Sequence, residues 1–289
     1  MSTAPLDRRS LLVGGLVGLG VGVGVTWWAR AVPEPTPESP SAPTSESAAP
    51  IDPTVPPPPP KLGPQPPDGR IASFAQQGED LAILSVLQHL KIERPTYLDI
   101  GAFHPSIGSN TYLLYLSGGR GVLVEPNPHM AELLTGLRPR DTVLTAGVGT
   151  GEAAEADYYL IRDRPQLNTF SREQVDRYVA EGGPGVVERT MKMKLLAIDD
   201  VIAEHFDGAP DVLSVDVEGL DLQILRTLSF ERFRPAVICV ETLRYGTTAQ
   251  VDEVTQLLTA RDYVARGGTF VNTIFVDAPR LRATADSAG

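Results

Sequence analysis

The sequence predicts an α/β domain, a largely parallel sheet covered by helices on both faces, running from about Ile71 to the end of the chain. Three observations lead there. From Ile71 onward, short apolar runs alternate with segments of helical periodicity. Several of those runs end in a carboxylate. Proline is segregated: of 26 in a chain of 289 residues, 15 lie between Val32 and Arg70, so the folded part begins beyond them.

The elements follow in order. Gln77 to Leu90 repeats leucine at helical spacing (Leu81, Leu84, Leu87). Tyr97 to Gly101 reads as a short buried strand, and Asn110 to Leu116 as a helix. Gly121 to Glu125 is a second strand, Pro128 to Leu137 a helix, and Thr142 to Val148 a third strand. Ala156 to Ile161 reads as an added hairpin strand. Val212 to Asp216 is a further strand, followed by a helix over Leu220 to Leu228. Ala236 to Glu241 repeats the theme, and Val251 to Arg261 is a helix. Strands near Tyr263 and over Asn272–Val276 complete the domain. Near-continuous apolar strands alternating with helices argue for a parallel sheet buried on both faces.

The first seventy residues are different. Residues 1–10 form a short polar terminus. Leu11 to Trp28 is apolar or glycine apart from Thr26. At 1.5 Å per residue a helix over 11–29 approaches the roughly 30 Å hydrocarbon core of a bilayer. Arg8 and Arg9 precede it, and Trp27 and Trp28 close it at interface depth. Read as a signal anchor, it makes a single-pass membrane protein with a cytoplasmic N-terminus. The alternative is a twin-arginine-like export signal with Ala29-Arg30-Ala31 as cleavage pattern. Gly14, Gly18 and Gly22 share one helical face, a spacing that suits a homodimer contact. Residues 30–70 form a proline-rich stalk, since proline lacks an N–H and fixes φ.

The formal net charge is −11, with −10 on the domain, which argues against a general nucleic-acid partner. The lone Cys239 excludes an intrachain disulfide and a cysteine-rich zinc site.

The chemistry is read at strand ends, because open α/β sheets bind ligands outside the carboxyl ends of their strands. Asp99, Glu125, Asp216, Glu218 and Glu241 fall there. Gly101 lets backbone approach a ligand. No G-x-G-x-x-G or P-loop is present. Glu125, 26 residues after Asp99, suits a ribose diol, so an adenosyl ligand without a pyrophosphate, such as S-adenosylmethionine, fits better than NAD.

Six segments in order then carry a resemblance: Ser73-Phe74-Ala75-Gln76-Gln77-Gly78-Glu79-Asp80, Leu98-Asp99-Ile100-Gly101-Ala102, Ser109-Asn110-Thr111, Val124-Glu125-Pro126-Asn127-Pro128, Ala146-Gly147-Val148-Gly149 and Leu213-Ser214-Val215-Asp216-Val217-Glu218-Gly219. The chain resembles the FkbM family of S-adenosylmethionine-dependent methyltransferases. The resemblance implies a class I methyltransferase (Rossmann-like) fold of seven strands, the last antiparallel, and O-methylation of a hydroxyl on a sugar, glycan or natural product. The cofactor set read from these segments is Asp99, Gly101, Ala102, Asn110, Glu125 and Asn127, with Gln77 and Asp80 of the preceding helix either closing over the cofactor or capping that helix. Two places depart from the family pattern: Ser-Phe-Ala-Gln stands for Ser-Phe-Ser-Gln, and Glu241-Thr242-Leu243 for acid-His-Asn.

A hydroxyl acceptor calls for a base or a metal. Asp216 and Glu218 are the carboxylate candidates and His104 the imidazole candidate. The competing reading has Asp216 to Gly219 capping the next helix and His104 ordering its loop. Asp216 and Glu241 end neighbouring strands and could share Mg²⁺. Asn168 to Arg189, charged and glycine-rich, reads as an acceptor-side cover. The rival functions are a non-catalytic, membrane-displayed binding domain and a nicotinamide oxidoreductase.

Overall fold

The computed structural model describes residues 71–151, 153–243 and 252–286. The predicted anchor, stalk, export signal and Gly14–Gly18–Gly22 face lie outside them. Among the described residues, no helix is long and apolar enough to cross a membrane.

In chain order the elements are α1 (Glu79–His89), β1 (Thr96–Ile100), α2 (Tyr112–Leu116), β2 (Arg120–Val124), α3 (Pro128–Leu137), β3 (Thr142–Leu144), β4 (Gly147–Val148) and β5 (Glu155–Ile161). There follow α4 (Arg172–Gly182), β6 (Val187–Leu196), α5 (Ile198–His205), β7 (Val212–Val215), α6 (Asp221–Thr227), β8 (Val237–Glu241), α7 (Asp252–Thr259), β9 (Tyr263–Gly268), β10 (Asn272–Asp277) and α8 (Ala278–Asp286).

Seven strands form one sheet in the order β3-β2-β1-β7-β8-β10-β9. All pairs are parallel from β3 to β8, while β10 runs antiparallel to both β8 and β9. Alternation along the buried strands sorts side chains between two cores. Leu98, Ile100, Leu213 and Val215 face α5, α6 and α7. Tyr97, Leu123, Val212 and Cys239 face α1, α2 and α3. Strand order reverses between β1 and β7, which puts the ligand crevice of this topology beyond their carboxyl ends.

The expected third strand, Thr142 to Val148, is broken in two. Ala146 N–H turns back to the Leu144 carbonyl at 3.0 Å, and Gly147–Val148 leaves the main sheet to pair with β6. A second sheet, β4-β6-β5, results. The single added hairpin strand is one arm of a hairpin, and its partner β6 is ten residues long. β6 lies partly within the segment read as a cover, because its outward residues are charged and only Met193 is buried. α4 occupies the rest of that segment, capped by Ser171 Oγ, which accepts from Gln174 N–H.

Candidate active site

At the end of β1 the chain bends sharply onto β2. Gly101 and Ala102 N–H both donate to the Val124 carbonyl, at 2.9 and 3.2 Å. Gly101 has φ +83°, and a Cβ there would lie 1.9 Å from the Asp216 carbonyl oxygen. Only glycine fits, so the β1 and β7 loops touch backbone to backbone at the switch point.

Glu125 leaves the end of β2 and is buried. Its Oε2 accepts from Phe103 N–H at 2.8 Å and its Oε1 from Asn127 N–H at 2.7 Å. Burial pushes its pKa up to about 7 against the pull of those two donors. Asn127 caps α3, its Oδ1 accepting from His129 N–H at 3.1 Å. His104 orders the β1–α2 loop. Its Nδ1 accepts from Ser106 and Ile107 N–H at 3.2 and 3.1 Å, and partial burial lowers its pKa. With Nδ1 so engaged, the neutral ring carries its proton on Nε2. The geometry therefore supplies the loop-ordering role and no free imidazole lone pair.

Asp99 faces inward and is buried. Its Oδ2 accepts from Thr111 Oγ1 at 2.6 Å, and Thr111 Oγ1 accepts in turn from Arg138 at 3.0 Å. Arg138 is fully buried and pairs through Nε with Asp141 at 2.8 Å. Its guanidinium lies over Tyr97, Tyr112 and Tyr115, with centroid distances of 5.4, 6.0 and 5.4 Å. The Tyr97 hydroxyl closes the network on Asp141. Asn110 Nδ2 donates to Ser214 Oγ at 3.2 Å, tying the α2 entry to β7. Neither Arg138 nor this network is visible in the sequence, where Arg138 to Asp141 looks like a solvated helix end.

The acids converge on the other side of the switch point. Asp216 accepts no hydrogen bond on its carboxylate among the described residues, and burial together with Asp221, Asp99 and Glu79 raises its pKa. Glu218, at φ +56°, accepts from the Tyr178 hydroxyl at 3.1 Å, and burial and Asp216 raise its pKa. Asp221 closes the turn, accepting from Val217 and Gly219 N–H at 3.1 and 3.2 Å, and burial lifts it to about 6. Glu241, at the end of β8, is raised by burial and then by Asp216, Asp221 and Glu218. Among the described residues no group of three or more carboxylates, imidazoles or thiols has the arrangement of a metal cage.

The helix before β1 contributes as a clasp. Asp80 accepts from Ser73 Oγ at 2.6 Å and from Phe74 N–H at 2.7 Å, so it anchors the entering strand of chain. Gln77 Oε1 accepts from Phe270 N–H at 3.0 Å. Glu79, absent from the predicted set, is fully buried and accepts from Thr269 Oγ1 at 2.7 Å and Asn272 Nδ2 at 3.1 Å. Together Gln77 and Glu79 fasten α1 to the β9–β10 turn beside Glu241.

A carboxylate whose pKa is raised on folding binds its proton more tightly in the folded state. Stability is then full below the unfolded pKa and falls as pH rises through the folded one. For Glu125 that window runs from 4.5 to about 7, and Asp216, Glu218 and Glu241 act in the same direction. His104 opposes it, since its lowered pKa costs stability as the solution becomes acidic. Asp99, Asp141 and Asp221 are raised as well, so one imidazole stands against seven carboxylates and the carboxylates dominate. The ligand-free protein is expected to melt several degrees higher at pH 5.5 than at pH 8 by scanning calorimetry. Equal melting at the two values contradicts this electrostatic picture.

Next to Val124 and Pro126, which flank Glu125 in sequence, lies a small, open apolar recess lined by Gly101, Val124, Pro126, Gly147, Phe170 and Val217 among others. Phe170 presents an aromatic face in its otherwise apolar lining.

Similar solved structures include a TehB-like SAM-dependent methyltransferase from Corynebacterium glutamicum, with 9% identity over 70% of this chain and 88% of that one, at TM-score 0.37. Another is the Burkholderia thailandensis 1,6-didemethyltoxoflavin-N1-methyltransferase with bound S-adenosylhomocysteine, with 10% identity over 70% and 79%, at TM-score 0.36. A third is an O-methyltransferase from Bacillus cereus in complex with SAH, with 14% identity over 68% and 80%, at TM-score 0.33. No curated protein matches the chain. The family described as "Methyltransferase FkbM domain" matches residues 99–265, from the acid of β1 to β9. The seven-stranded, mostly parallel sheet is the class I Rossmann-like methyltransferase fold that this family implies, and the chain belongs to the FkbM methyltransferase family.

Proposed function

We propose that the protein is an S-adenosylmethionine-dependent O-methyltransferase acting on a hydroxyl of a sugar, glycan or natural product, tethered to a membrane by its N-terminal apolar segment. The observation that carries this reading is what meets at the switch point: an apolar recess lined by the two sequence neighbours of Glu125, and, across the Gly101 contact, an Asp216 carboxylate that accepts no hydrogen bond among the described residues. These residues fit an adenosyl sulfonium. Each Glu125 oxygen accepts one backbone N–H and keeps a lone pair for a ribose hydroxyl. The cofactor supplies a methyl group already activated for displacement.

What remains for the protein is to orient the acceptor oxygen and take its proton. Asp216 suits that second task, because a carboxylate raised toward neutrality, with no hydrogen bond among the described residues, can accept a proton. Glu218 is held by Tyr178 and Glu241 is raised further, so both suit acceptor orientation. For the full chain in detergent, S-adenosylhomocysteine at 100 times its Kd is expected to stabilise the fold by about 2.7 kcal/mol by mass action. No shift in melting at millimolar ligand overturns the reading, and a shift with NAD alone replaces it with a nicotinamide enzyme.

A further inference from the structure

The segment between β5 and α4 reaches the recess beside Gly101 through one side chain. Phe170 is its central residue. On one side, Thr169 is clamped: its N–H donates to the Tyr159 carbonyl at 3.2 Å, and its carbonyl accepts from Tyr159 N–H at 2.9 Å. The Thr169 hydroxyl donates to the Glu218 carbonyl at 3.0 Å. On the other side, Ser171 N–H donates to Thr169 Oγ1 at 2.9 Å while its own hydroxyl caps α4. The backbone around Phe170 is therefore held at both ends, and the half-buried ring enters the apolar recess. Gly147 makes room for it, since a Cβ there would lie 2.5 Å from Phe170 Cζ. Tyr158 backs the ring, with centroids 4.7 Å apart and planes tilted by 40°.

The position of this ring relative to Glu125 gives it a ligand. Val124 and Pro126, the two neighbours of Glu125 in sequence, both line the recess. A nucleoside whose sugar hydroxyls meet Glu125 therefore has its base beside the recess. There the lining is apolar and carries one aromatic face. We propose that Phe170 is the wall on which the purine of the adenosyl cofactor packs, so that the inserted β5–α4 segment sets cofactor affinity. This rests on the methyltransferase reading above. It assigns to cofactor binding a residue of the segment that the sequence suggests as acceptor cover. A flat aromatic ring stacks on a purine face whatever the edge substituents.

The test is calorimetric titration of the full chain with S-adenosylhomocysteine, which needs no acceptor and no turnover. Phe170→Ala is expected to weaken binding tenfold or more, and Phe170→Trp to stay within threefold of the parent. Where Phe170→Ala fails to fold by circular dichroism, Phe170→Leu decides, since it keeps apolar volume and loses the ring face; a fivefold or greater loss supports the wall. Affinity unchanged in Phe170→Ala or Phe170→Leu overturns the proposal, as does an equal loss in Phe170→Trp. A parent chain that binds no S-adenosylhomocysteine overturns the methyltransferase reading itself, and is thereby distinguished from a failure of Phe170 alone.

Discussion

Asp216→Asn is expected to lower methyl transfer by ~10²–10⁴-fold, the range of a lost general base, while S-adenosylhomocysteine binds within about threefold of the parent. The measurement is transfer of tritiated methyl groups from S-adenosylmethionine into a glycan extract, beside a calorimetric titration. The amide keeps the shape of the side chain and removes its ability to take a proton. It also removes the repulsion that Asp221, Asp99 and Glu79 exert on the carboxylate. The same substitution should therefore raise the melting temperature at pH 8. A loss of activity together with a gain of stability separates a proton acceptor from a residue that merely holds its loop. Unchanged turnover removes Asp216 from the chemistry, and Glu218, with its hydrogen bond from Tyr178, becomes the better candidate.

The largest effect on stability is expected at Arg138. Arg138→Met should cost about 3–5 kcal/mol, the range for removing one partner of a buried pair. The substitution leaves Asp141 uncompensated and strips the cation from three tyrosine rings. It also deprives Thr111 of the donor that fixes its hydrogen bond to Asp99. Asp141→Asn in the same chain should recover part of the loss, since the stranded charge is then gone. Urea denaturation reads both variants. A loss below about 1 kcal/mol for Arg138→Met shows that the network is not what holds β1 to β3.

The parts of this molecule that read well from sequence are those where one signal dominates. β1, β2, β7 and β8 are apolar runs buried on both faces, and acids follow them because the carboxyl ends of the strands open to the cleft. α3 announces itself through Asn127 and Pro128, a side-chain cap followed by a residue with fixed φ. The parts that read poorly are those decided by tertiary contacts. β6 is a strand whose outward side chains are charged, so its alternation is hidden within a polar segment. The break between β3 and β4 is made by pairing with β6, which local propensity does not report. α8 buries no side chain and offers no periodic stripe.

The site divides in the same way. Strand-end position alone identifies Gly101, Glu125, Asp216, Glu218 and Glu241, and the structure brings all five to one end of the sheet. It does not tell Asp99, turned into the Arg138 network, from Asp216, whose carboxylate has no hydrogen-bond partner among the described residues. Nor does it separate Asp80, an anchor for the preceding segment, from Glu79, which reaches the β9–β10 turn beside Glu241. Those distinctions depend on which face of the sheet or helix each side chain leaves. Phe170 carries no sequence signal, because its place in the recess follows from the Thr169–Tyr159 pairing.

The central claim is that an adenosyl cofactor binds where β1, β2 and β7 end, with Glu125 on its ribose. Calorimetric titration of the full chain and of Glu125→Ala with S-adenosylhomocysteine tests it most directly. One site per chain is expected in the parent, with binding at least tenfold weaker in Glu125→Ala. No binding by the parent at millimolar ligand, or equal affinity in the two proteins, contradicts it.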